Sequence, residues 1–507
     1  MKKLLSVLVL AALLTSCTQG PKAQKKPNII YVLADDLGYG DVAAFNDNGK
    51  IRTPNLDQMA SEGMRFTDAH TSSSVCTPTR YGILTGRYNW RSRLKSSVLS
   101  GESDHLIPND RSTVASVLKA SGYHTAYIGK WHLGWDWARF NKDSIDFSKP
   151  VKNNPNDLGF DYAYGHCGSL DMAPYVYVEN GMPTAIPTEY TVNQGKQSWW
   201  RRGLTAPDFV HDDVTPNFFR RAIEYVTKQS ETEQPFFLYL PLPSPHTPIL
   251  PTEEYKGKSG LDNDYGDFVM LVDGYMGKLL NKVKELGIEE NTLIIFTSDN
   301  GCSPQADFQD LASKGHHPSG GYRGHKADIF EGGHRVPFIA KWPKVIEAGS
   351  KSDRVICTTD LVATCADITG YSLNGNEGED SYSMLPLFRQ KTIEGTHREA
   401  TVHHSINGSF AIRKGDWKLI MCPGSGGWSF PRPDKDEELL KTMPPVQLYN
   451  LKNDPIEKIN LQSEFPEKVD ELKALLTKYI VEGRSTAGEA QSNDGNKIWK
   501  QLWWIRN

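Results

Sequence analysis

The chain has 507 residues, with 57 Lys and Arg against 61 Asp and Glu for a formal net charge of −4. That near-neutral balance excludes bulk nucleic-acid binding, which leaves a basic excess. A hydrophobic fraction of 38% and an aromatic fraction of 10% exclude global disorder and supply a sizeable core.

At the N-terminus the basic Met1-Lys2-Lys3 precedes an apolar run over residues 4–14. The run is too short for a bilayer, which needs about 20 residues, and fits a secretory signal. Leu14-Thr15-Ser16-Cys17 resembles the lipobox of bacterial lipoproteins. That resemblance implies removal of residues 1–16 and acylation of Cys17. The product is an exported lipoprotein, periplasmic or on the outer membrane or cell surface, held in the membrane by lipid on Cys17. Residues 17–26 read as a polar, flexible tether.

The rest of the chain alternates apolar runs with helical patterns. Asn28–Ala34 reads as a buried strand that stops at Asp35-Asp36. A helix over 112–120 leads to a strand over 124–129, ending in Lys130-Trp131-His132. A helix over 215–229 precedes a strand over 236–240, which runs into a Pro-rich loop carrying His246. A helix over 267–286 precedes the strand Thr292–Ser298, which stops at Asp299-Asn300. A glycine-rich loop with Lys326 then enters a strand over 336–340. This order implies an α/β fold with a large, mostly parallel sheet covered by helices on both faces. Ligands in such folds sit beyond the carboxyl ends of the strands. From about residue 396 the pattern changes. Residues 409–421 read as two strands across a Lys-Gly-Asp turn, 446–451 as another, and Pro466–Val481 as an amphipathic helix. The expected organisation is a catalytic domain over 27–395 and a smaller α+β subdomain over 396–507 with a short antiparallel sheet.

Asp35, Asp36, Asp299 and Asn300 offer only oxygen, which suits Ca²⁺ or Mg²⁺ rather than zinc. One Asp after a strand is more often a turn or cap residue. Two such groups ending separate strands point to a metal, because three carboxylates in one place repel unless a cation neutralises them. Seven cysteines (17, 76, 167, 302, 357, 365 and 422) contain no C-x-x-C pair, which excludes zinc ribbons and thioredoxin-like motifs. With 17 and 76 set aside, five remain; they read mostly as small buried side chains, and no disulfide is assigned.

Cys76-Thr77-Pro78-Thr79-Arg80 resembles the C-x-P-x-R signature of the type I, formylglycine-dependent sulfatases. The other motifs of that family follow in order: ADDLGYGD around Asp35-Asp36, GKWHLG at 129–134, SPHTP around His246, SDNG at 298–301 and GHKADIFEGGHRVP at 324–337. The match runs from about 27 to 390 without a departure at a motif position. The chain is therefore identified as a member of that family, resembling arylsulfatase A-like and N-acetylgalactosamine-6-sulfatase-type enzymes.

The resemblance implies an alkaline-phosphatase-like domain and a maturation enzyme that oxidises Cys76 to formylglycine. It implies Ca²⁺, with Mg²⁺ second, on Asp35, Asp36, Asp299, Asn300 and residue 76. One hydroxyl of the hydrated aldehyde attacks sulfur and forms a sulfo-enzyme intermediate. His246, with Lys326 nearby, protonates the leaving alcohol, and His132 deprotonates the second hydroxyl to expel sulfate. Lys130 and Lys326 neutralise the sulfate oxygens, and Arg80 holds residue 76 and its loop. Residue 76 is expected to open a helix with Pro78 just inside its start, and Glu331 and Arg335 to pair behind the site.

Residues 87–99 and 170–175 lie where the family varies with substrate. The second stretch and 483–494 resemble galactosamine-6-sulfatases and bacterial enzymes acting on sulfated galactose and N-acetylgalactosamine. This implies exo-removal of 6-O-sulfate from such sugars in mucin or glycosaminoglycan chains. The alternatives are 4-O- or 3-O-sulfate, a phosphoryl or phosphonate ester, and a non-catalytic glycan-binding role. Asp171, His105 and His166 are candidate sugar contacts; Trp199, Trp200, Trp503 and Trp504 are candidate stacking surfaces.

Overall fold

The strand Asn28–Ala34 is buried over its last six residues. It pairs in parallel with Phe236–Pro241 on one side and Thr292–Ser298 on the other. Burial of successive residues, rather than alternate ones, requires cover on both faces. In the computed structural model, which describes residues 25–391 and 397–505, these three strands form the centre of the main sheet. The expected signal segment, Cys17, the tether up to residue 24 and the 395/396 boundary lie outside the described residues.

The sheet has ten strands in the order Ser350–Ser352, Met64–Phe66, Phe338–Lys341, Thr292–Ser298, Asn28–Ala34, Phe236–Pro241, His124–Lys130, Tyr162–His166, Val178–Glu179 and Met182–Pro183. Its centre is parallel. Phe338–Lys341 runs antiparallel to Thr292–Ser298, with Phe338 opposite Thr297. The chain entering Phe338 therefore lies at the carboxyl end of its neighbour, which carries the Lys326 loop to the same edge as Asp299. Local capping sets several helix starts. The helix Asp264–Glu285 begins three residues before the expected 267, because the Asn263 side chain accepts the Tyr265 N–H at 2.9 Å. The helix Val114–Ala120 opens with a reciprocal Thr113–Ser116 capping box.

The C-terminal part forms a separate four-stranded antiparallel sheet, ordered Thr401–His404, Phe410–Lys414, Trp417–Ile420, Gln447–Asn450. The helix Pro466–Val481 covers it through Leu472, Leu476 and Tyr479, in one apolar cluster with Tyr88 and Trp90. Its first strand, absent from the sequence reading, has a specific role. The His404 carbonyl accepts the Ser74 N–H and the Ser73 hydroxyl, both at 3.0 Å, and His403 Nδ1 donates to Thr71 O at 2.9 Å. The strand thereby braces the segment that leads into Cys76.

Beside this brace lies a buried polar network. Glu331 pairs with Arg335 at 3.0 Å, as expected, and also with Lys418 at 3.1 Å, while Lys418 reaches Glu457 at 2.8 Å. Lys418 donates to His334 Nε2, His334 Nδ1 faces His70 Nδ1 at 3.0 Å, and His70 Nε2 donates to Asp68. Burial lowers the pKa of His70, His334 and His403. The His334 and His403 rings lie parallel at 3.9 Å. Of the six described cysteines, 76, 167, 302, 357 and 365 are buried, 422 is half-buried, and all are free thiols.

Candidate active site

The ends of the central strands meet. Asp35 N donates to Ser244 O at 2.9 Å, Asp299 N to Ala34 O at 3.1 Å, and Asp36 N to Asp299 Oδ1 at 3.2 Å. Asn300 Nδ2 donates to Asp36 Oδ1 at 2.7 Å. Asp36 and His132, the residues after two strand ends, have φ of 64° and 55°. Non-glycine residues in that region carry strain, and they concentrate at functional sites.

Cys76 opens the helix Cys76–Thr85, all of whose residues are buried. No side chain caps this helix, so its first N–H groups stay available to an anion. Arg80, one turn on, is fully buried. It donates through Nε to Asp299 Oδ2 at 3.0 Å and through Nη1 to Lys130 O at 2.9 Å. Lys130 Nζ lies 2.5 Å from Asp35 Oδ2, and Lys326 Nζ 2.8 Å from Asp36 Oδ2. Expected repulsion among the three carboxylates is thus already offset by three cations from the protein, so charge crowding is not what marks a metal site here.

The mark is different. Asp35 Oδ1 and Asn300 Oδ1 are buried oxygens without a hydrogen-bond partner, which native interiors rarely tolerate. Ligand atoms of Asp35, Cys76 and Asp299, and of Asp35, Asp36 and His246, lie within 4.8 Å of one another. Two bare oxygens beside the carboxylates of Asp36 and Asp299 fit a hard dication. With the carboxylates already offset, a bound dication would leave the site net positive and suited to an anion. Burial raises the Asp299 pKa and Asp35 repels its charge further. At Asp35, burial is overcome by Lys130, His246 and Arg80, which hold the carboxyl well below the usual range. Burial opposes the Lys326 charge, but Asp36 keeps its pKa raised.

The two histidines have defined tautomers. His132 Nε2 donates to Leu99 O at 2.8 Å, leaving Nδ1 bare, buried and unpartnered; burial and then Lys130 push its pKa well down. His246 Nδ1 donates to Thr247 O, and its Nε2 lies 3.6 Å from Asp36 Oδ2. Burial and then Lys326 lower its pKa.

A cavity of about 180 Å³ opens over Cys76. It is lined by His246, Lys326, Asp171, Ser169, Trp199 and Trp428, among others. Asp171 pairs with Arg201 through Oδ2, and its Oδ1 and the Ser169 hydroxyl are buried without partners. His105 instead bonds Asp136 at 2.9 Å, and His166 is enclosed between the Val176 and Ser169 carbonyls; neither lines the cavity. Trp200 stacks on His211 at 4.0 Å, and Trp504 packs edge-on to Phe410 in the C-terminal core. Residues 87–91, expected on the substrate side, are internal: Arg87 pairs with Glu379 and Asp494, and Arg91 with Asp380. Only Val98 of the stretch 87–99 reaches the cavity. Trp428 and Ile406 also line it; both come from the C-terminal part, and no local motif flags them. A larger cavity of about 430 Å³ is lined by Asp68, His397, Arg398 and Arg413. It lacks the site's residues, and its Arg398 and Arg413 are already paired with Asp360 and Asp68.

Three comparisons bear on this geometry. A family model described as Sulfatase matches residues 27–371. An N-acetylgalactosamine-6-O-sulfatase of Bacteroides thetaiotaomicron is 34% identical over 94% of this chain and 98% of that protein. Human arylsulfatase A is 31% identical over 95% of this chain and 93% of its own length. A solved structure described with the metabolism of multiple glycosaminoglycans by Bacteroides thetaiotaomicron superposes with a TM-score of 0.78 at 32% identity, covering 90% of this chain and 99% of that one.

Proposed function

The chain belongs to the sulfatase family and is a sulfuric ester hydrolase; from that premise we propose that it removes 6-O-sulfate from terminal galactose or N-acetylgalactosamine of mucin or glycosaminoglycan chains. The observation that carries the reading is one small cavity lined by Cys76, Lys326, His246 and Asp171. At about 180 Å³ it is below the roughly 300–1,000 Å³ of drug-sized ligand pockets. That size supports a single sugar ring and hence exo action. The 6-sulfated galacto preference is supported by the Bacteroides relative named for that activity.

Asp35, Asp36, Asp299, Asn300 and residue 76 would hold Ca²⁺, which when bound polarises a sulfate oxygen and the group on residue 76. Cys76, oxidised by a maturation enzyme, supplies as an aldehyde hydrate a nucleophilic hydroxyl and a second one for release. Lys326 and Lys130 neutralise the sulfate oxygens, and Arg80 fixes the Cys76 helix to Asp299. His246, once charged as the imidazolium, would donate its Nε2 proton to the leaving sugar oxygen while its Nδ1 proton stays on Thr247 O; Asp36 Oδ2, 3.6 Å from Nε2, favours that charged form against burial and Lys326. His132 accepts a proton at its bare Nδ1. Lipid on Cys17 places the enzyme on a membrane surface facing exported glycan.

The test is sulfate released from a panel of 6-O-, 4-O- and 3-O-sulfated galactose and N-acetylgalactosamine, 6-sulfated N-acetylglucosamine and a matched phosphate ester. The protein is used with residue 76 verified by mass as formylglycine. Release confined to the 6-sulfated galacto sugars is expected. Release from another member discards the sugar assignment, and release from none discards the exo reading.

A further inference from the structure

We propose that Trp428 is the platform on which the substrate's sugar ring stacks, so that the C-terminal part contributes directly to substrate recognition. The inference rests on the sulfated-sugar reading above. Trp428 is half-buried and lines the cavity that also holds Cys76, Lys326 and His246. Its position relative to Lys326 is set by a double clasp. The N–H groups of Trp428 and Ser429 both donate to Asp328 Oδ1, at 2.7 and 3.0 Å, and Asp328 Oδ2 accepts the His325 N–H at 2.9 Å. One buried carboxylate thus ties the Lys326 loop to the Trp428 loop. Ser425 O accepts the Ile329 N–H at 2.9 Å, and Gly427 has no Cβ to meet Ala327 O, which would lie 2.4 Å from it. The glycine is what lets the two segments touch.

The cavity has two chemical characters. Val98, Met172 and Ile406 join Trp428 in an apolar lining, while Ser169 Oγ and Asp171 Oδ1 are buried acceptors with no protein partner. A hexose has the same division, with an apolar C–H face and a rim of hydroxyls, and ligand pockets match such ligands with aromatic walls and a few placed polar groups. Of the two tryptophans on the cavity, Trp199 carries the Arg201 guanidinium 5.2 Å from its ring centre. Among the described residues no ring or cation stacks on Trp428. Its face is the one left for the ligand.

The test uses calorimetric binding of N-acetylgalactosamine 6-sulfate, in calcium buffer, to the non-reacting Cys76→Ala protein. Trp428→Ala in that background should weaken Kd at least tenfold, about 1.4 kcal/mol, and Trp428→Phe less than threefold. Binding of inorganic sulfate, which meets only the charged groups, should stay within twofold in both variants. An unchanged Kd for the sugar sulfate with Trp428→Ala overturns the proposal, as does an equal loss for inorganic sulfate, which would mean a displaced loop. Absence of sugar binding by the Cys76→Ala parent also overturns it. Sulfate release by the matured wild type is read separately, so a parent that binds the sugar while the wild type releases no sulfate sinks the activity and leaves the platform standing.

Discussion

Asp328 is the sharpest place to test whether the two halves of the site are mechanically coupled. Its carboxylate is fully buried and accepts three backbone N–H groups, from His325, Trp428 and Ser429. Hydrogen bonds to a charged acceptor contribute about 1.5–3 kcal/mol each. Asp328→Asn keeps the shape and the oxygen facing Trp428 and Ser429, but turns an amide donor toward the His325 N–H. One bond is lost and two donors oppose each other, for a cost of about 2–3 kcal/mol. Asp328→Ala removes all three hydrogen bonds, and the loss should be at least twice as large unless the Trp428 loop swings out to water. The functional effect follows from Lys326, two residues upstream. A displacement of about 1 Å at a positioned group costs on the order of 100-fold in rate, so kcat/KM should fall at least tenfold in Asp328→Asn and further in Asp328→Ala. Denaturant unfolding gives the first quantity, and sulfate release by matured variants the second. Wild-type stability in Asp328→Ala refutes the clasp. A destabilised variant that keeps its kcat/KM refutes the coupling.

Cys76→Ala should keep the fold, with about 1 kcal/mol lost for one buried sulfur, while turnover disappears; persisting sulfate release removes residue 76 as the nucleophile. Chelation should lower both the unfolding midpoint and the rate, with Ca²⁺ restoring them better than Mg²⁺. At 100 times its Kd a bound ion stabilises by about 2.7 kcal/mol, and a chelated protein with an unmoved midpoint excludes the oxygen cluster as its site. Asp273, which accepts the Leu56 N–H at 2.8 Å and the Asn55 amide at 2.7 Å, is pushed up to about 6 from 3.8, chiefly by burial and then by Asp57. A raised folded-state pKa means that its share of stability is full below about pH 4 and is lost as the pH rises through about 6, up to roughly 3 kcal/mol. Asp273→Asn should flatten that slope, because the Asn55 amide can turn to accept from it; parallel stability curves for both proteins between pH 4 and 7 would sink this assignment.

What was legible in the sequence was what a strand end determines locally. Asn28–Ala34 and Thr292–Ser298 are observed at their expected bounds, and parallel pairing of two apolar runs aligns the polar pairs that follow them. That is why Asp35, Asp36, Asp299 and Asn300 meet. What was not legible depends on partners far along the chain. Arg87 and Arg91 sit just after the signature helix and look free to meet substrate, yet their charges are taken up by Glu379, Asp380 and Asp494. Carboxylate repulsion looked like the argument for a metal, but Arg80, Lys130 and Lys326 answer it from three separate segments. The bare oxygens of Asp35 and Asn300, visible only in three dimensions, carry that argument instead. The same holds for the C-terminal part. Its helix and three of its strands followed from periodicity, but Thr401–His404 is too short and too rich in histidine to register as a strand. That strand supports the approach to Cys76, and the loop after Trp417–Ile420 supplies Trp428. The chemistry of the site is written in motifs near strand ends, whereas its walls come from segments whose local pattern says only that they are loops. Substrate choice in such a fold is therefore harder to read from sequence than reaction type, because the residues that set it answer to long-range packing rather than to the local rule that places a carboxylate after a strand.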